Sequence, residues 1–168
     1  MRDILKYIGV FVDGYGYAGL ATSAKVPKIE IAVREYKAAG MSGPIEVRMA
    51  RLANVLSCEL TFEGFDPHLY ETLSIGEGAS IPLTVKGSAE DADGATHAHK
   101  ITMRGFAKVI DEGEWKEGEG VPLKLEISLR YYKRERDGVE LYEIDQENMV
   151  FKVKGKDLLA EHRANISR

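Results

Sequence analysis

The run VPLKLEISLRYYKRERDGVELYEID, residues 121–145, decides the fold. Val121, Leu123, Leu125, Ile127, Leu129 and Tyr131 occupy one parity; Pro122, Lys124, Glu126, Ser128, Arg130 and Tyr132 occupy the other. Alternation with a period of two puts the apolar set on one face of an extended chain, which predicts a long half-buried antiparallel strand. The strand continues through KRER to Asp137-Gly138, a strong short-range hairpin signal, and returns as VELYEID. FKVKG at 151–155 predicts a further short strand.

The same period dominates upstream. KVPKIEIAVREYKA (25–38) and PIEVRMARLANVLSCELTFEG (44–64) bracket the loop AGMSG, and strands are predicted at SIPLTVKGS (80–88) and HAHKITMRGFAKVID (97–111). Ile45, Val47 and Met49 share one parity while Leu56, Cys58, Leu60 and Phe62 share the other. That phase change inside MARLAN predicts a β-bulge or a strand break that redirects the faces. Two helices are predicted. One has Asp66 as its N-cap, Pro67 in its first turn, and ends at Gly76; the other is KDLLAEHRANI, beginning after Gly155. KGSAEDADGA (86–95) and EGEWKEGEG (112–120) read as exposed acidic loops. The expected architecture is mainly β: an antiparallel β-sandwich or small barrel with one or two α-helices, in a single domain spanning 1–168.

Composition narrows the function classes. The chain has 168 residues, 44% hydrophobic and 30% charged, with a formal net charge of −4, which argues against a surface built mainly to grip phosphates. No apolar run approaches the ~20 residues of a membrane-spanning helix, so no membrane insertion is expected. MRDILKYIGV lacks the pattern of a secretory signal. A single cysteine, Cys58, excludes a disulfide scaffold, and its place in the alternating LSCELTF predicts a buried thiol rather than a nucleophile. GYGYAG (14–19) matches G-x-G-x-x-G, yet the β-branched, alternating sequence that follows is not the helix a pyrophosphate needs.

Catalytic groupings are thin. His97 and His99 form H-x-H, two rings on one strand face with no third ligand fixed by spacing; a polar strand end is the favoured reading and a metal site the lesser one. No serine sits in a G-x-S-x-G elbow. Glu112, Glu114, Glu117 and Glu119 lie in a glycine-rich loop, where solvated carboxylates make poor general acids. Trp115 among them is expected to anchor the loop to the core or to meet a partner. No enzyme activity and no cofactor is expected.

Several pieces taken in order resemble the major tail tube protein of contractile-tailed bacteriophages, the family that includes the tube subunit of R-type pyocins. The C-terminal half carries the closest likeness. GEWKEGE followed by SLRYYKRERDGVELYEIDQENMVFKVKGKDLL is similar to that family's G-D/E-W-K-x-G-E, paired tyrosines and DGxExYEID run. FVDGYGYAGLA, VPKIEIAVREYKAAGMSGPIEV and ITMRGFAKVIDEGEW follow in matching order, and the acidic AEDADGATHAH is a departure. The resemblance implies that the VDG-x-x-YAG element is an N-terminal β-hairpin with its turn at Asp13-Gly14, not a phosphate loop.

It also implies a structural subunit that forms six-fold rings, stacked into a tube inside a contractile sheath, for DNA ejection or, in a bacteriocin, ion passage. Implied partners are further copies of itself, the sheath, tape measure, baseplate and tail terminator proteins, and double-stranded DNA in transit without specific binding. The implied location is the virion tail, assembled in the host bacterial cytoplasm. Physics requires a ring for such a conduit. A barrel of about eight strands is filled by its own side chains, whereas an aqueous lumen appears near sixteen or more. The polar strand faces are the lumen candidates, namely Lys28, Glu30, Glu46, Arg48, Lys124, Glu126, Ser128 and Arg130. Contacts between subunits or rings are expected from Asp13, Gly14, Tyr15, Tyr17, Gly40, Met41 and Trp115. Alternatives are a type VI secretion-like tube passing effectors, a small-ligand β-barrel, and, least favoured, an enzyme built around His97 and His99.

Overall fold

The computed structural model describes residues 2–13, 15–16, 21–64, 66–72 and 80–168. In chain order its elements are β1 (Ile4–Val12), β2 (Tyr15–Gly16), β3 (Ala21–Lys25), β4 (Ile31–Tyr36), β5 (Ile45–Leu52), β6 (Leu56–Glu63), α1 (Pro67–Thr72), β7 (Ile81–Glu90), β8 (Thr96–Asp111), β9 (Pro122–Arg136), β10 (Val139–Asp145), β11 (Val150–Val153), β12 (Lys156–Asp157) and α2 (Ala160–Asn165). The fold is mainly β and antiparallel, as the alternation predicts, with two short helices among the described residues.

β9 organises the larger sheet. One of its edges pairs with β8, from Asp111↔Lys124 to His99↔Arg136. Its other edge is divided: residues 122–129 pair with β6 and residues 131–136 with β10. From β8 the sheet continues through β7 to β1, and from β6 to β3, so the sheet rolls until β1 approaches β3. The β9–β10 turn is made by Asp137 (φ 49°) and Gly138 (φ 78°), the doubly left-handed pair that matches strand twist.

The core lies inside this roll. Leu123, Leu125, Ile127 and Leu129 of β9 are buried with Leu56, Cys58, Leu60 and Phe62 of β6, and with Leu83, Val85, Ile101 and Met103 across β7 and β8. Burial, then the charge of Glu59, pushes the Cys58 thiol up to about 12, an inert core group.

One parity differs from the sequence reading. Tyr132 is buried and Tyr131 is half-buried on the opposite face, because Gly105 pairs with Leu129 while Arg104 pairs with Tyr131, leaving Arg130 as an extra residue. This bulge reverses which parity faces inward beyond it. Its tight side needs glycine, since a Cβ on Gly105 would overlap the Ser128 carbonyl oxygen.

The phase change in MARLAN is both a bulge and a break. The β4–β5 register jumps between Ile31↔Leu52 and Val33↔Arg48, with Ala50 at φ 54°, and the chain then leaves β5 to enter the larger sheet as β6. Asp66 Oδ1 accepts from the His68 N–H at 2.9 Å, the cap expected for α1, while the stretch towards Gly76 lies largely outside the described residues. The C-terminal helix starts later than expected. Lys156 and Asp157 first pair with β11, and the Asp157 carboxylate then accepts from the Leu159 N–H at 3.0 Å. Residues 86–90 are strand rather than loop; only 91–95 turn, held by Asp91 Oδ1 accepting from the N–H groups of Asp93 (2.9 Å) and Ala95 (3.0 Å).

Candidate assembly surfaces

β4 and β5 form a separate two-stranded sheet that stands off the body. Its base is tied down: the Ala53 N–H donates to the Glu30 carbonyl at 2.8 Å, the Asn54 amide donates to the Glu30 carboxylate at 2.7 Å, and Leu52 packs on the core. Beyond the base the arm buries little in its own chain. Opposed residues share a face, so Val33, Glu35, Glu46 and Arg48 form one side and Arg34, Tyr36, Ile45 and Val47 the other. Tyr36, Ile45 and Val47 are 53%, 51% and 45% exposed. An isolated two-stranded ribbon is marginal in water, and this one also sets Glu35 directly opposite Glu46. At the tip, Gly40 takes φ 88°, and Met41 folds back, its N–H donating to the Ala38 carbonyl at 3.2 Å and its sulfur accepting from the Ala38 N–H at 3.3 Å.

A second surface is the outer face of β6, β9 and β8. Ser57, Glu59 and Thr61 lie opposite Ser128, Glu126 and Lys124. Lys124 is exposed, Glu126 and Ser128 are half-buried, and Glu126 accepts from Lys108 at 3.1 Å. Exposed Arg130, in the bulge, pairs with Glu147 at 2.9 Å and lies 5.9 Å over the Phe106 ring. Lys28 joins this surface, lining one depression with Glu59 and Glu126. The lumen candidates therefore fall in two groups: Lys28, Lys124, Glu126, Ser128 and Arg130 on this mixed-sign face, and Glu46 and Arg48 on the arm, with Glu30 at the arm's base.

The candidate contact residues are scattered over the molecule. Asp13 (φ 51°) makes the β1–β2 turn, pairing Val12 with Tyr15, and its N–H donates to the Pro82 carbonyl at 2.8 Å. Gly14 and Tyr17 lie outside the described residues, as does the Tyr15 side chain. Residues 112–120 form a wholly exposed loop between β8 and β9, with Trp115 67% exposed. Along β1 the residues Ile4, Leu5 and Tyr7 are 55%, 57% and 78% exposed, and among the described residues this strand is hydrogen-bonded to β7 along one side and to β2 at Phe11 and Val12 on the other. Long apolar edges of this kind are templates for pairing with another chain.

The chain as a whole has known relatives. The family model for phage tail tube protein FII matches residues 2–166. The chain belongs to the phage tail tube FII family. It is 38% identical to the tail tube protein of Escherichia phage P2 over 164 residues, covering 96% of this chain and 95% of that protein. It is 29% identical to the major tail tube protein of Serratia phage KSP20 over 154 residues, covering 92% of this chain and 89% of that one.

Within this tail tube subunit the H-x-H pair takes a structural role. The two rings do share a strand face, but carboxylates hold each. His97 contacts Asp137 Oδ2 through Nδ1 at 2.8 Å and Asp91 Oδ2 through Nε2 at 3.2 Å, and His99 faces Asp3 at 3.8 Å. The two partners of His97 come from the β7–β8 and β9–β10 turns, so the ring clasps neighbouring turns together. Hydrogen bonds to Asp137 and then Asp91 raise the His97 pKa; the Ala95 N–H and then His97 lower that of Asp91, and the Ala98 N–H and then His97 lower that of Asp137. Sequence reasoning missed these carboxylates because they sit in two different turns, Asp91 six residues before His97 and Asp137 forty after it, and only the folded sheet brings both to one ring. It also missed the apolar side of the arm, whose signal was present in the alternation of Tyr36, Ile45 and Val47.

Proposed function

We propose that this chain is the structural subunit of the inner tube of a contractile phage tail, in which six copies close a ring and rings stack into a conduit for double-stranded DNA. The observation that carries the reading is the β4–β5 arm. A ribbon with an apolar side open to solvent, too small to hold itself, is completed when a sibling copy covers it. The exposed Ile4, Leu5 and Tyr7 of β1 ask for the same completion. Family membership supports the tube, and the antiparallel sheet supplies long strands for a shared barrel with more strands than one copy holds.

The whole chain acts as one domain in this role, with no catalytic duty and no cofactor. The mixed-sign face carrying Lys124, Glu126, Ser128 and Arg130, with Lys28 beside it and Glu30, Glu46 and Arg48 from the arm, lines the lumen. Such a wall suits passage, since each phosphate neutralised by a cation adds affinity and therefore friction. The arm tip at Gly40 and Met41, the N-terminal hairpin (Asp13, Gly14, Tyr15, Tyr17) and Trp115 make the contacts between subunits and rings. Sheath, tape measure, baseplate and terminator proteins meet the assembled tube, which is built in the host cytoplasm and ends in the virion.

Negative-stain microscopy of the purified full-length chain tests the reading. Hollow rings or tubes are expected. A monodisperse monomer at every concentration and in the presence of tail-tube nuclei would overturn it.

A further inference from the structure

The roll of the larger sheet leaves an open groove of about 330 Å³ where β1 approaches β3, at the end of the molecule bearing the β7–β8 and β9–β10 turns. Leu5, Ile8, Val26, Val85 and Ile101 give it an apolar wall. Its polar rim carries the Arg134 guanidinium, the His99 ring and Asp3, with Arg136 opposite His99 in the register. Among the described residues, Arg134 Nε, Arg136 Nε and His99 Nδ1 are buried without a hydrogen-bond partner. Asp3 takes part of this charge, bonding Arg136 at 2.9 Å and facing His99 Nε2 at 3.8 Å, and Arg134 lies against the Tyr132 hydroxyl. The remaining nitrogens call for an acceptor carried on an apolar body.

Such a group stands at the opposite end of the same chain. Exposed Trp115 directly follows Glu114 in the loop beyond Asp111, with Lys116 and then Glu117 after it. From His99 to Asp111 along β8, at ~3.3 Å per residue, the separation is about 40 Å, so loop and groove within one copy cannot meet. Between copies the same placement is head-to-tail, a contact that repeats without closing and builds a filament. We propose that Trp115 of one copy seats its indole in the β1–β3 groove of the copy stacked above or below it, with Glu114 accepting from Arg134 and His99 there. The inference rests on the tube reading and specifies the receiving site for its ring-to-ring contact. An indole is a large apolar anchor, and a carboxylate beside it satisfies the polar rim.

Two readouts on the full-length chain test this. Trp115 is the sole tryptophan, so its emission reports this loop alone. In assembled tubes the emission moves to shorter wavelength, and acrylamide quenching falls several-fold relative to dispersed subunits. In a Lys116→Cys, Val26→Cys variant, oxidation of tubes yields a ladder of covalent multimers, absent from either single variant. Native Cys58 stays out of the exchange because it is buried. Tubes in which Trp115 keeps its quencher access and no ladder forms overturn the docking and leave the tube reading standing. A chain that forms neither tubes nor ladder, as micrographs reveal, overturns both.

Discussion

The His97 ring of β8 and the Asp137 carboxylate in the β9–β10 turn are joined at 2.8 Å, while the other ring nitrogen meets Asp91 at 3.2 Å. With a carboxylate on each nitrogen, both must donate, so the complete clasp contains an imidazolium. His97 has its pKa raised by folding, and its contribution is fully present below the ordinary histidine value and lost as pH rises through the raised one. Asp91 and Asp137 have theirs lowered, and their contribution is present above the ordinary aspartate value and lost as pH falls through the lowered ones. The clasp is therefore strongest between the aspartate and histidine ranges. Thermal midpoints of the dispersed subunit, followed against pH for wild type and His97→Gln, are expected to differ most in that window and to converge at alkaline pH. A constant difference across pH would remove the ionic clasp.

Gly105 is predicted to tolerate no side chain. Its Cβ would overlap the Ser128 carbonyl oxygen, which is ladder backbone and has no flexible tip to move. Gly105→Ala should cost on the order of 3 kcal/mol and shift the denaturant midpoint accordingly, without changing the slope.

Core and arm substitutions should separate folding from assembly. Leu125 is fully buried in the core, and Leu125→Ala should cost about 2–5 kcal/mol of subunit stability. Val47 and Ile45 sit on the open side of the arm, so Val47→Ser with Ile45→Thr should change subunit stability by about 0.5 kcal/mol or less while abolishing tubes. Circular dichroism melts and micrographs of the same preparations check both halves of the contrast.

The face around β9 is expected to be indifferent to nucleic acid as it stands. Glu59 and Glu126 oppose each other there, with Lys28 and Lys108 nearby. Glu59→Lys with Glu126→Lys should produce tubes that retain DNA, with retention falling steeply as salt rises. Retention unchanged from wild type would place this face away from the lumen.

Much of the fold was legible because period-two alternation survives through long strands: the β9–β10 hairpin, the break after β5 and the inward set on β6 follow from it. Alternation alone puts Tyr131 and Tyr132 on the wrong faces because the bulge at Arg130 depends on how Gly105 packs across the sheet, a tertiary fact with no local signature. The late start of α2 has the same origin, since Lys156 and Asp157 are captured by β11 before the helix forms. The function was legible from ordered resemblance across the chain. The clasp carboxylates and the polar rim of the β1–β3 groove were not, since both assemble from separate strands and turns.

The claim that sibling copies complete this subunit's sheets is tested most directly by a helical reconstruction of the assembled tube at side-chain resolution. Tyr36, Ile45 and Val47 are expected to be covered by a neighbouring copy, with Lys124, Glu126 and Ser128 facing a water-filled lumen. An assembly in which the arm's apolar side remains in solvent and Ile4, Leu5 and Tyr7 of β1 meet no other copy would contradict it.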